Sequence, residues 1–212
     1  MNGTKQRIGL IRLAYLTPIV SAAILLILAL LPRVFYTSGE GVGPDFSLFQ
    51  LQALTYETGM KFFSGESAGS TPDFYFYLYM LAFRAISVIC MVYYGIFSIF
   101  TALMAPLAWT PQARSTPRGN KWKRWYRIVV PNRGFFVFLQ FLPLFPALYP
   151  YLFQITANKL LGTSMKACYY GIPDFIIVLL LAALSVALFL LTKSHQKQNR
   201  MDLFRIYKIE DQ

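Results

Sequence analysis

Four long apolar stretches divide this chain, and each is long enough to cross a lipid bilayer. A helix rises about 1.5 Å per residue, so a hydrocarbon core about 30 Å thick needs about 20 apolar residues. Leu13–Pro32 carries no charge, Phe74–Pro106 is interrupted only by Arg84, and Gly134–Asn158 and Phe175–Thr192 are uncharged throughout. The 212 residues are 56% hydrophobic and 14% charged, well below the roughly 25% charged of soluble domains. Runs of this kind cannot all be hidden in one small water-soluble core. The expected fold is therefore an all-α integral membrane protein, a single domain of four transmembrane helices at about 13–32, 74–106, 134–157 and 174–192. Residues 33–73 form an extracytoplasmic loop, 107–133 a basic cytoplasmic loop and 193–212 a cytoplasmic tail.

The loops set the orientation. The N-terminal segment, the 107–133 loop and the tail together hold 15 Lys and Arg against three acids, Asp202, Glu210 and Asp211. The other side holds Arg33, Lys61, Lys159 and Lys166 against six acids. Cations accumulate on the cytoplasmic side of membrane proteins, so both termini are expected in the cytoplasm. The net charge of +11 thus has its cause in topology and in attraction to anionic lipid, and nucleic acid is not an expected partner. Lys5, Arg7 and Arg12 would also suit the start of a signal peptide. The apolar run that follows is longer than a signal peptide's, and no small-x-small site follows Leu31, so a retained helix is expected.

The second span is too long. A helix over 74–106 would measure about 50 Å, so it either tilts or protrudes. With its inner end near Pro106, Arg84 falls at the outer boundary, where a long cationic side chain can reach the interface. Residues 74–80 then project and need cover. The extracytoplasmic loop supplies a candidate: Phe46, Phe49, Ala53, Tyr56, Met60 and Phe63 recur at helical spacing. This predicts an amphipathic helix, capped by Asp45 or Ser47, lying on the membrane surface or on the bundle. A lid over a substrate site is the sharper alternative. Arg84, withdrawn from bulk water, is expected to form a buried ion pair with Asp174, or failing that with Glu57.

The basic loop reads as a helix with Trp122, Trp125, Tyr126 and Val129 on one face. Lys121, Lys123, Arg124 and Arg127 flank that face, the pattern of a helix lying in the headgroup plane. Its residues Lys121, Trp122, Lys123, Arg124, Trp125 and Arg127 are candidates for contact with anionic lipid or with a cytoplasmic subunit. Leu203, Phe204, Ile206, Tyr207 and Ile209 of the tail could add to either.

Signals for catalysis are missing. There is no phosphate loop, HExxH, GxSxG or dinucleotide turn. Two scattered cysteines, Cys90 and Cys168, and one histidine, His195, leave no supply for a His/Cys metal site. No cofactor, no metal and no enzymatic activity are expected. Gln140 and Gln154 bracket Pro143, Pro146 and Pro150 in the third span, where a bent helix is expected. The two glutamines could form a polar stripe, for bonding between helices or along a substrate path.

Four spans, inside termini and a larger first outer loop resemble the claudin and tetraspanin plan. The resemblance ends at Val34–Asp73, which has no cysteine, whereas those families rely on cysteines there. The expected function is a non-catalytic membrane subunit assembling with other chains or with itself, as an accessory or permease-like part of a transport or secretion complex. The expected location is a bacterial inner (plasma) membrane. The alternative is a stand-alone small transporter or membrane-embedded enzyme with a site near Arg84.

Overall fold

The computed structural model describes residues 2–39, 41–66, 69–107, 116–198 and 202–205. Part of the basic loop, 108–115, and the tail residues Ile206, Tyr207 and Ile209 lie outside these. The elements in chain order are α1 (Asn2–Leu30), β1 (Val34–Ser38), β2 (Gly41–Val42), α2 (Leu48–Phe63), α3 (Thr71–Leu107), α4 (Pro117–Val129), α5 (Arg133–Leu139), α6 (Leu144–Ala147), α7 (Tyr149–Leu160), β3 (Lys166–Tyr169) and α8 (Asp174–Gln198).

The protein is mostly helical, and among the described residues three helices are long and apolar enough to cross a membrane: Gly9–Leu30, Thr71–Met104 and Asp174–Gln198. A fourth crossing exists if the pair Pro117–Val129 and Arg133–Ala147, bent by 55°, counts as one. The bent helix expected over 134–157 is three helical pieces. Between α5 and α6 the amides of Gln140, Phe141 and Leu142 bond three residues back, to Val137, Phe138 and Leu139. Those are tight 3₁₀-type bonds. Pro143, Pro146 and Pro150 have no amide hydrogen for an α-helical ladder; Pro143 ends the 3₁₀-type stretch, Pro146 lies inside α6 and Pro150 in the first turn of α7.

Contacts divide the chain into two compact units. The first comprises residues 1–23, 93–142 and 180–212. Its centre is aromatic: Tyr15, Phe97, Tyr126, Phe136 and Phe189 are all buried, and Phe136 stacks on Phe189 at 4.2 Å between ring centres. Several buried polar groups within it are paired. The Tyr15 hydroxyl donates to Gln196 Oε1 at 3.1 Å, and Gln196 Nε2 donates to Thr192 Oγ1 at 2.9 Å. Thr17 and Ser185 meet at 3.3 Å. Such pairs satisfy polar side chains without water.

The second unit comprises 24–92 and 143–179. Its core joins Val34, Tyr36, Leu48, Leu51, Phe76, Met80, Tyr149, Ala157 and Ala167. It holds something the all-α expectation did not contain, a three-stranded antiparallel sheet of order β2-β1-β3. Val34 pairs with Tyr169 and Thr37 with Lys166, so residues 129 to 135 positions apart become neighbours. Val34 and Tyr36 point into the core while Phe35 and Thr37 are less buried, the alternation a strand imposes. The polar side chains of α7 hold β3 in place. Gln154 Oε1 accepts from the Ala167 amide at 2.8 Å, and Asn158 Nδ2 donates to Met165 O at 2.8 Å. Gly162, in the left-handed region at φ 66°, ends α7 and turns the chain back. Burial pushes the Tyr36 phenol up, so it stays protonated and donates to the Pro150 carbonyl at 3.1 Å.

Candidate functional site

In the second unit the charged groups are arranged differently from the sequence expectation. Arg33, not Arg84, pairs with Asp174: Nη1 meets Oδ1 at 2.6 Å, with side chains 14% and 10% exposed. Arg33 Nη2 also donates to the carbonyls of Ile172 at 2.7 Å and Tyr170 at 3.3 Å. The planar fork of an arginine suits three acceptors at once. Position explains the choice. Arg33 lies directly after the first apolar run and Asp174 directly before the fourth, so both mark the same boundary, while Arg84 is inside a run. That signal was readable in the sequence.

Arg84 pairs with no carboxylate among the described residues, Glu57 included. Its guanidinium carbon sits 4.0 Å from the centre of the Tyr56 ring, a cation–π contact. Its Nη1 is buried and has no hydrogen-bond partner.

The helix α2 is present, capped by Ser47, whose side chain accepts from the Gln50 amide while Gln50 Oε1 accepts from the Ser47 amide. Its packed face is not the apolar stripe. Leu48, Leu51, Gln52, Thr55 and Gly59 are buried. The apolar stripe Phe49, Tyr56, Met60 and Phe63 is 40–47% exposed. Gly59 lies against Tyr77: a Cβ there would meet Tyr77 Cδ1 at 3.4 Å, an ordinary contact distance. Phe62 meets Tyr77 at 5.3 Å and Phe63 meets Phe74 at 5.5 Å, which sets α2 alongside the first turns of α3, the segment 74–84. Those turns start at Ser70, whose amide and hydroxyl both donate to Asp73 at 2.7 Å and hold its carboxyl below the usual range.

Gln140 and Gln154 do not share one task. Gln154 binds β3, as above. Gln140 belongs to the first unit, where its Nε2 reaches the Phe136 carbonyl at 3.5 Å.

Also in the first unit, α4 begins with Thr116 accepting from the Gly119 amide at 3.1 Å and with Pro117 in the first turn. Trp122, Trp125 and Ile128 are exposed, as are Lys121 and Arg124; Arg127 is half-buried. Two expectations are corrected here. Tyr126 is fully buried, bonded to Thr101 at 3.1 Å, and so does not share the tryptophan face. Lys123 is 1% exposed and is not a lipid contact. A helix flanked by cations on both sides can present only one of those sides outward; the other follows Tyr126 inward. The tail residues Leu203 and Phe204 are likewise buried, with Phe204 among Tyr126, Phe136 and Phe189. Asp202 beside them is paired with Arg133.

Among the described residues no cluster of His, Cys, Asp or Glu could hold a metal, and Cys90 and Cys168 are free. No protein-family model matches this chain, and no curated protein or solved structure does either.

Proposed function

We propose that the chain is a four-span integral membrane protein with both termini in the cytoplasm, acting as a non-catalytic subunit that assembles with other chains in a transport or secretion complex. On this reading it resides in a bacterial inner membrane whose anionic lipids attract the basic loop. The supporting observation is the outward stripe of α2. With the inner end of α3 near Pro106, residues 74–84 lie at or beyond the outer boundary of a hydrocarbon core about 30 Å thick. The α2 helix that packs there offers Phe49, Tyr56, Met60 and Phe63 outward, next to exposed Phe74, Tyr75, Leu78 and Tyr79. A contiguous apolar patch of that kind in contact with water marks a docking face. A photo-crosslinking residue at Met60, in cells, is expected to form protein adducts. Adducts with lipid alone would sink the subunit reading.

Topology is testable separately. In a chain with Cys90 and Cys168 replaced by serine, Glu66→Cys is expected to react with an impermeant thiol reagent added outside, and Arg118→Cys only after the membrane is opened. Equal labelling of both from one side contradicts four spans.

The second reading, a small transporter or enzyme with a site near Arg84, is favoured by the partnerless buried Nη1 of Arg84. It requires Arg84→Gln to abolish a solute-dependent activity while leaving the Met60 adducts unchanged.

A further inference from the structure

The first unit carries a second feature, a cleft of about 740 Å³ whose cationic lining residues are Arg127, Arg133, Lys193, Lys197 and Arg205. Its one acid, Asp202, is committed to Arg133 and also accepts from the Phe204 amide at 3.0 Å. Arg127, Lys193, Lys197 and Arg205 form no ion pair among the described residues. Four uncompensated cations around one concavity repel one another, and a multivalent anion relieves that repulsion. The buried tail residues fix the geometry, because Leu203 and Phe204 hold Asp202 and Arg205 at the cleft wall.

We propose that this cleft binds the phosphate group of an anionic lipid. Two lining residues place it at headgroup level. Arg133 immediately precedes the uncharged run Gly134–Asn158, and Lys193 immediately follows Phe175–Thr192. Cations at the ends of apolar runs meet lipid phosphates, and basic pockets between helices on the cytoplasmic side take lipid headgroups. Trp122 and Trp125, exposed on the helix that supplies Arg127, are the residue type enriched at that depth. The lipid source rests on the membrane-spanning reading above; the affinity of the cleft for phosphate does not. The site differs from the helix face expected from sequence, since it draws on α8 and the tail and leaves out Lys121, Lys123 and Arg124.

The test compares the full chain in detergent with two triple variants. One removes cleft cations: Arg127→Gln, Lys193→Gln and Lys197→Gln. The other removes exposed cations outside the cleft: Arg118→Gln, Lys121→Gln and Arg124→Gln. Each is titrated with short-chain phosphatidylglycerol, phosphatidylcholine and inorganic phosphate. The native chain is expected to prefer phosphatidylglycerol. The cleft variant is expected to lose about tenfold or more in affinity for it, and the control less than about twofold. Equal losses in both variants would reduce the effect to diffuse attraction and overturn the site. Inorganic phosphate binding as tightly as phosphatidylglycerol would overturn the lipid assignment. The single variant Lys197→Gln, at an exposed position, covers the case in which the triple variant does not fold, with an expected loss of about threefold. An unchanged affinity in Lys197→Gln would then overturn the proposal. Loss of four-span topology in the labelling test, with phosphate binding retained, would separate failure of the membrane reading from failure of the cleft.

Discussion

Arg33→Ala is expected to destabilise the second unit by about 3–5 kcal/mol, because it strands the Asp174 carboxylate, only 10% exposed, without its partner. The same substitution removes the donor to the Ile172 and Tyr170 carbonyls, which are exposed and can turn to water. Asp174→Asn is expected to cost less, since an amide oxygen still accepts from Arg33. The decisive comparison is the double variant Arg33→Ala/Asp174→Ala. It is expected to be more stable than Arg33→Ala alone, because removing both charges also removes the desolvated orphan. Thermal or denaturant unfolding in detergent reads all four proteins. Additive losses would mean that the two side chains do not act as a pair. Arg84→Ala in the same assay is expected to give a smaller loss, since its contact is with an aromatic ring that is 42% exposed. The ordering Arg33 over Arg84 reverses what the position of Arg84 in the sequence suggests.

Phe204→Ala is expected to free the tail. The Phe204 side chain is 9% exposed, with ring centres of Tyr126, Phe189 and Phe136 at 6.0, 5.9 and 6.2 Å. Truncating a buried phenylalanine costs about 3–5 kcal/mol, which is a hundredfold or more in a docking equilibrium. Trypsin cleavage after Arg205 reports that equilibrium, because a protease cuts the opened segment in proportion to its population. A large increase in cleavage rate is expected for Phe204→Ala. A smaller one is expected for Asp202→Asn, whose partner Arg133 keeps 30% of its side-chain surface in solvent. A rate equal to that of the native chain would show that residues 202–205 are held by something other than this aromatic cluster.

Both experiments probe contacts that span long sequence separations, and those are what the sequence did not disclose. The sheet is the clearest case. Strand β1 is five residues and β3 four, too short for alternation to stand out, and each completes its hydrogen bonds only on a partner from a distant loop. The direction of α2 is another. Its aromatic stripe was legible as a stripe, yet periodicity states only that one face is apolar. The face that packs is the one that puts Leu48 and Leu51 into the core. The basic helix shows the same limit. Lys121, Lys123, Arg124 and Arg127 are alike as letters, but Tyr126 turns inward and carries Lys123 with it.

What the sequence determined by itself is the set of long apolar helices and the uneven placement of charge between them, because hydrophobic length and loop charge are local sums that need no knowledge of neighbours. It also pointed to a bend in the third span, because prolines at 143, 146 and 150 withhold amides there, although Pro18 sits within the unbroken α1. The partners of Arg84 and Arg133, the packed face of α2 and the burial of the tail were decided by tertiary structure alone. Each depends on which surfaces fit closely enough to exclude solvent, and fit is a property of two distant segments together.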